Sequence, residues 1–152
     1  MKIAAIIVGA LLGFVFVASG VVVLFNLAPM PPPPPPDSPM GGFFAAFGPT
    51  GYLTFVKVLE VIGGILVAIP RTRRAGLLVL GPIIVNIIAF HAFVAGEGVF
   101  APTIVVICLL TLFLVWVERA AFAAFLGFPT VSRAATATTI SEKVSGTETV
   151  AS

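Results

Sequence analysis

The sequence predicts an all-α integral membrane protein, built as an antiparallel four-helix bundle with both termini on the cytoplasmic side (N-in/C-in). Three observations lead to this prediction: 59% of residues are hydrophobic, only 9% are charged, and four apolar segments have spanning length. Soluble domains carry about 25% charged residues, so this chain has too few charges to cover a water-exposed surface. A net charge of +2 from scattered residues also supplies no basic patch for nucleic acid.

The four apolar segments are residues 3–27, 52–69, 75–94 and 100–117. A spanning helix needs about 20 residues, and the first segment is long enough to favour a retained transmembrane helix over a cleaved signal peptide. Prolines follow the first segment, Pro70 ends the second, and Gly96 and Gly98 separate the third from the fourth. The short connections make segments two to four antiparallel neighbours, and the predicted membrane domain covers residues 1–126.

Lysine and arginine residues set the predicted orientation. The segments on the N-terminal side of the membrane contain seven basic residues: Lys2, Arg71, Arg73, Arg74, Arg119, Arg133 and Lys143. Residues 28–51 and 95–99, which lie on the other side, contain no Lys or Arg. Because cytoplasmic loops are enriched in these residues, the bias predicts that both termini are inside.

Two segments lie outside the predicted bundle. The outer loop, residues 28–51, contains eight prolines between Pro29 and Pro39, which favour polyproline II and a semi-rigid strut on the outer surface, with partner docking as an alternative. Phe43, Phe44 and Phe47 follow at helical spacing, which predicts a short interfacial helix or a hydrophobic loop over the bundle mouth. Residues 127–152 are rich in Thr, Ser and Ala and are predicted to be a disordered cytoplasmic tail.

The second and third apolar segments contain four charged or strongly polar side chains: Lys57, Glu60, Asn86 and His91. Charged residues inside a bilayer are costly, and they are usually paired or functional. Lys57 and Glu60 are three residues apart on one helix face, so they can pair directly. At 1.5 Å per residue, all four side chains lie in the outer half of the predicted bundle. Asn86 and His91 are about 140° apart around an ideal helix, so both face one cavity only if the helix is distorted.

The polar cluster has two main interpretations. In the first, Lys57 and Glu60 form a self-neutralising pair that fixes helix register. In the second, a small pocket opens to the outside, where Glu60 and His91 bind or relay a proton or hold a polar ligand. A metal site would need more ligands than Glu60 and His91 supply, and we predict neither a metal nor a catalytic residue. The lone Cys108 is expected to be a small buried hydrophobic residue.

Small residues and one proline predict the helix packing. Gly9 and Gly13 are four residues apart, a spacing that lets helix backbones approach closely, with homodimerisation as the alternative. Gly64 lies on the same face of its helix as the charged pair. Pro82, four residues before Asn86, lacks a backbone N–H and is expected to kink the third helix.

Three stretches of the predicted membrane domain carry a family resemblance: LAPMPP at 27–32, GYL at 51–53 leading into VKVLEVIGG at 56–64, and GPIIVNIIAFH at 81–91. In combination they resemble the DoxX-like family of small bacterial membrane proteins. Together the three stretches extend the resemblance over roughly residues 1–125, and they occur in the same order and in the same helices as in the family. The resemblance implies a four-helix protein of the bacterial inner membrane, linked to membrane oxidoreductase assemblies such as quinone-linked sulfur oxidation and thiol or oxidative-stress systems.

The sequence leaves three candidate functions open. The first is an accessory subunit of a membrane redox complex, with quinone as the candidate cofactor and other membrane subunits, or a second copy, as partners in the bilayer. The second is a small transporter that uses the polar cluster as a path. The third is a structural subunit that packs against a larger assembly. A single cysteine and a single histidine speak against thiol–disulfide exchange and bis-histidine haem ligation, and we expect no catalysis by this chain alone.

Overall fold

The computed structural model describes residues 2–29, 32–96 and 98–127, and within these ranges the chain is helical with no β-strand. The α-helices in these ranges are α1 (Lys2–Leu24), α2 (Pro39–Phe47), α3 (Tyr52–Ala68), α4 (Arg73–Ala89), α5 (Pro102–Val117) and α6 (Arg119–Phe125). A 3-10 turn at Gly48–Thr50 joins α2 to α3, and a π-helical segment at Phe90–Ala95 continues α4. The predicted all-α class is therefore confirmed for the described residues.

Two helices in the described ranges are individually long and apolar enough to cross a membrane: α1 and the continuous stretch Arg73–Ala95. The number rises to four if α2 with its 3-10 turn and α3 form one span, and α5 and α6 form another. α3 and α5 have 17 and 16 residues, so each reaches about 25 Å, less than the ~30 Å hydrocarbon core of a bilayer. Length and composition thus indicate a membrane protein with two to four spans, and the predicted four is the upper value.

α1 packs closely along α3, and glycines make this contact possible. A Cβ atom on Gly13 would lie 2.5 Å from the carbonyl oxygen of Gly64, and one on Gly64 would lie 2.9 Å from the carbonyl oxygen of Gly13. Gly9 meets the carbonyl of Val67 in the same way. Because positions early in α1 meet positions late in α3, the two helices are antiparallel. Residues without side chains allow their backbones to touch.

α4 packs against α3 in the same antiparallel sense. Gly76 of α4 faces the backbone of Val67, and Gly63 of α3 faces the side chain of Leu80. α5 touches both α1 and α4, although less extensively than α3 touches its neighbours. The largest fully buried side chains come one from each of these helices: Leu12, Val67, Leu80 and Leu114. The four long helices therefore all bury apolar side chains against one another.

Several helix ends differ from the predicted boundaries, among them the end of α1 and the start of α4. α1 ends at Leu24, three residues before the end of its apolar run, because Asn26 adopts a left-handed conformation with φ of 49°. A left-handed residue just after the last turn is a common way to end a helix. α4 begins at Arg73, two residues earlier than predicted, so this arginine belongs to the helix rather than to the connecting loop.

The connection between α1 and α3 contains a helix of its own. Ser38 caps α2: its hydroxyl accepts a hydrogen bond from the N–H of Gly41 at 3.0 Å and donates one to the carbonyl of Pro35 at 2.6 Å. Pro39 takes the first helical position, where its missing N–H costs nothing. Gly51, with φ of 76°, then turns the chain into α3. Of the two predicted alternatives for this segment, the short helix is the one that forms.

The chain divides into two units, and the second begins with α6 at Arg119. Alanine-rich sequence favours this short helix, since alanine has the highest helix propensity. The predicted tail, residues 127–152, lies outside the described residues after position 127. Its disorder therefore stays a prediction.

Candidate functional site

A cavity of about 700 Å³ lies where α3 begins and is formed by α2, the first turns of α3 and the π-helical segment. We term this end of the helices the aromatic end. All four residues of the predicted polar cluster line it: Lys57, Glu60, Asn86 and His91. The other lining residues are almost wholly apolar: Val23, Pro32, Pro33, Pro34, Phe43, Phe44, Tyr52, Leu53, Val56, Ile87 and Phe90. Small-molecule sites typically have volumes of roughly 300–1,000 Å³, apolar walls and a few polar groups, as this cavity does.

Lys57 and Glu60 form an ion pair on one face of α3. The ammonium Nζ lies 3.0 Å from Oε1 and 2.8 Å from Oε2 of Glu60, so it donates to both carboxylate oxygens. The Glu60 side chain is only 4% exposed, whereas that of Lys57 is 26% exposed. The carboxylate is thus buried with its partner, and the two formal charges on the cavity wall cancel.

Asn86 and His91 line the same cavity because the helix that carries them changes its winding. α4 becomes π-helical at Phe90, immediately before His91, and a π-helical turn rotates later side chains relative to an ideal α-helix. This is the helix distortion that the sequence analysis required if Asn86 and His91 were to face one cavity. Nδ1 of His91 lies 2.8 Å from the carbonyl oxygen of Ile87. Asn86 is exposed, and its side chain makes no hydrogen bond to the described residues.

Aromatic rings close one side of the cavity. Phe43 of α2 packs against Phe90 of the π-helical segment with ring centroids 5.0 Å apart, and against Phe47 at 4.9 Å. Phe47 in turn contacts Tyr52 at 5.3 Å. Phe90 also meets the His91 ring edge to face at 5.6 Å. Contacts of this kind stabilise beyond the area they bury, so α2 is held against the helices that carry the polar cluster.

Three prolines of the outer loop lie on the cavity wall: Pro32, Pro33 and Pro34. The strut on the outer surface stays a prediction, and in the structure these three prolines line the cavity. Gly41 allows the chain to fold back here, because any Cβ at that position would collide with the carbonyl oxygen of Pro35.

The residues predicted to pack helices have two different placements. Gly9, Gly13 and Gly64 are buried in the contact between α1 and α3 of one chain. Intramolecular packing therefore accounts for the glycine spacing without a second copy. Pro82 is exposed, and α4 continues through it; the kink expected at this residue stays a prediction. Its missing N–H leaves the carbonyl of Leu78 without the usual i+4 donor.

A second buried charge, which the sequence interpretation missed, lies at the opposite end of the helices. Arg73 is 4% exposed, and its Nη1 lies 3.8 Å from Oε1 of Glu118. Arg74 binds the same carboxylate, with Nε 2.8 Å from Oε2. The Nε and Nη2 atoms of Arg73 have no hydrogen-bond partner among the described residues, and Nε lies 3.0 Å from where a Cβ of Gly9 would stand. We term this cluster the arginine end.

A signal for Arg73 was present in the sequence. The buried positions of α4 recur with helical spacing and begin with this residue: Arg73, Gly76, Leu77, Leu80, Ile83 and Ile84. Extending that pattern one turn backwards places the arginine on the buried face. The burial of Arg73 was not predicted because the positive-inside rule assigned every arginine between the second and third segments to the membrane surface.

Within the described ranges, no three His, Cys, Asp or Glu side chains are grouped so that they could hold a metal ion. Cys108 is half-buried in a second, apolar cavity of about 300 Å³ with Ile104 and Leu109 among its neighbours. Comparison with known proteins adds no relative: no family model, no curated protein and no solved structure matches this chain. The resemblance to DoxX-like proteins therefore stays a prediction from the quoted residues.

Proposed function

We propose that the chain is a DoxX-like integral membrane protein that serves as an accessory subunit of a membrane redox complex and holds a small ligand of the quinone class. The observation that carries this proposal is the cavity of about 700 Å³, with aromatic walls and a few polar groups. Such a composition suits a ligand that is itself largely apolar and reaches the site from the lipid. The quinone class comes from the family resemblance, and the cavity is compatible with it.

The proposed architecture is an antiparallel four-helix bundle of α1, α3, α4 and α5 with both termini inside. Its support is the antiparallel packing of α1 and α4 against α3, together with the separation of charge. Arg71, Arg73 and Arg74 lie at the arginine end, whereas residues 28–51 and 95–99 contain no Lys or Arg. The bias of basic residues toward the cytoplasm supports the aromatic end as the outer one. The inner membrane of a bacterium is what the family resemblance implies.

A small transporter is the weaker alternative. A transporter needs a polar path through the membrane, whereas the largest fully buried side chains are all apolar: Leu12, Val67, Leu80 and Leu114. A purely structural subunit is the stronger alternative. The observation that favours it is the pairing of Lys57 with Glu60, because two charges that satisfy each other need no ligand.

The first test is isolation of the tagged protein from its native membrane in mild detergent, followed by identification of co-purifying chains and of the lipid-soluble ligands in an organic extract. We expect redox subunits and a stoichiometric quinone. A monodisperse protein that purifies alone, with no extractable ligand, would contradict the proposal.

A matched pair of variants separates binding from structure. Glu60→Gln keeps the shape of the side chain and removes the charge that Lys57 neutralises, so we expect loss of the bound ligand. Val85→Ala changes an exposed residue of α4 that does not line the cavity, and it should retain the ligand. If the Glu60 variant retains both its ligand and the activity of the host complex, the charge of Glu60 serves only the structure and not ligand binding.

A further inference from the structure

The hydrogen bond of His91 fixes which of its ring nitrogens can receive a ligand. A backbone carbonyl only accepts, so the Nδ1 atom 2.8 Å from the carbonyl oxygen of Ile87 must carry the hydrogen. In the neutral ring the other nitrogen, Nε2, is then an acceptor. His91 lines the cavity, and no hydrogen bond to Nε2 is made by the described residues. A ligand must therefore bring a hydrogen-bond donor to use this atom.

The charged pair limits the ligand in a second way. Both oxygens of Glu60 accept from Lys57, and the carboxylate is buried. A charged ligand would have to break this pair or remain unpaired in an apolar site, and either outcome costs more than placing a neutral one. The Lys57 ammonium has three N–H groups and uses two on Glu60, so one remains for a neutral oxygen acceptor.

The aromatic walls of the cavity favour a particular shape of ligand. Phe43 and Phe90 meet at a steep interplanar angle of 63°, and Tyr52 and Phe44 complete an aromatic lining. Aromatic rings prefer edge-to-face and offset contacts with other rings, so a planar ring is the shape that makes the most of this lining.

We propose that the cavity selects a neutral, planar ring that carries a hydroxyl group, whose O–H donates to Nε2 of His91. This inference rests on the proposed function, since it names the ligand class of the same cavity. It adds a distinction that the proposed function does not make: a ring whose oxygens only accept, such as an oxidised quinone, leaves Nε2 unpaired. The hydroxyl-bearing form is therefore the preferred occupant.

The test uses three probes that share a propyl-substituted benzene ring: 4-propylphenol, its methyl ether 4-propylanisole and the anion 4-propylbenzoate. Binding to the full-length protein in lipid nanodiscs is measured by titration calorimetry, with empty nanodiscs of the same lipid subtracted to remove partitioning. We expect the phenol to bind about tenfold more tightly than the ether, the value of one hydrogen bond at the upper end of its usual range, and the benzoate not to bind. In His91→Phe, which keeps a ring beside Phe90, the phenol should fall to the affinity of the ether.

The outcomes separate this inference from the proposed function. Equal affinity of phenol and ether for the unmodified protein overturns the hydroxyl preference but leaves a ring-binding cavity. Benzoate binding as tight as phenol binding overturns the requirement for neutrality. If none of the probes and no short-chain benzoquinone binds, the proposed function fails as well. The comparison of phenol with ether in the unmodified protein decides the matter even if His91→Phe does not fold.

Discussion

Replacing Gly13 with alanine should weaken the contact between α1 and α3, and the structure sets the size of the effect. The added Cβ would lie 2.5 Å from the carbonyl oxygen of Gly64 and 2.8 Å from the Cβ of Ala68. Carbon atoms pack best about 3.5–4.0 Å apart, so the helices must separate by about 1 Å. Overpacking of this kind costs about 1–3 kcal/mol of the free energy of unfolding.

Gly81→Ala supplies the matched control. Gly81 also lies inside a helix, α4, but a Cβ there would meet nothing within 4 Å. Alanine raises helix propensity by about 1 kcal/mol at either position, so this gain cancels when the two variants are compared. The Gly13 variant should therefore be less stable than the Gly81 variant by about 1–3 kcal/mol. Reversible unfolding in mixed micelles, followed by circular dichroism, measures the difference.

The same experiment tests the alternative role of the glycine motif. If Gly9 and Gly13 served homodimerisation, Gly13→Ala would lower association between chains and leave the unfolding free energy of the monomer unchanged. A difference of less than about 0.5 kcal/mol between the Gly13 and Gly81 variants, the range of neutral surface changes, would refute the packing argument.

Two further predictions concern the arginine end and the orientation. Glu118→Ala removes the carboxylate that faces the buried Arg73. Loss of one partner of a buried pair costs about 3–5 kcal/mol of the free energy of unfolding, which the same unfolding assay measures. A loss below about 1 kcal/mol would show that Arg73 does not depend on this partner. In a Cys108→Ala background, Asp37→Cys should react with a membrane-impermeant maleimide added to intact cells, whereas Arg71→Cys should react only after lysis. The reverse pattern would refute the N-in/C-in orientation.

Local features of this fold could be predicted from the sequence because neighbouring residues decide them. The apolar runs place the long helices, and the i, i+3 spacing brings Lys57 to Glu60, where the structure has Nζ 2.8 Å from Oε2. The glycine spacing likewise indicates a close helix contact. In each case the determining residues lie within one or two turns of a helix, and helical geometry fixes their relation.

The features that the sequence did not predict depend on contacts between residues far apart in the chain. Arg73 and Glu118 are brought together only when α4 and α5 pack, and nothing near either residue in the sequence indicates the other. The π-helical segment at Phe90–Ala95 is another case, because an i+5 winding is less favourable locally and needs tertiary support. The contact of Phe43 with Phe90 supplies such support, and it required the outer loop to fold back onto the bundle.

The ion pairs at the two ends of the helices would respond differently to movement of the helices. Lys57 and Glu60 lie on one helix, so their contact needs no second helix and persists if neighbouring helices shift to admit a molecule. The contact of Glu118 with Arg73 and Arg74 instead joins the end of α5 to the start of α4, so any relative movement there would break a buried charge interaction. Adjustment is therefore cheaper at the end that contains the cavity. A fixed arginine end and an adaptable aromatic end are what a membrane protein needs if it holds a ligand on one side and does not pass it to the other.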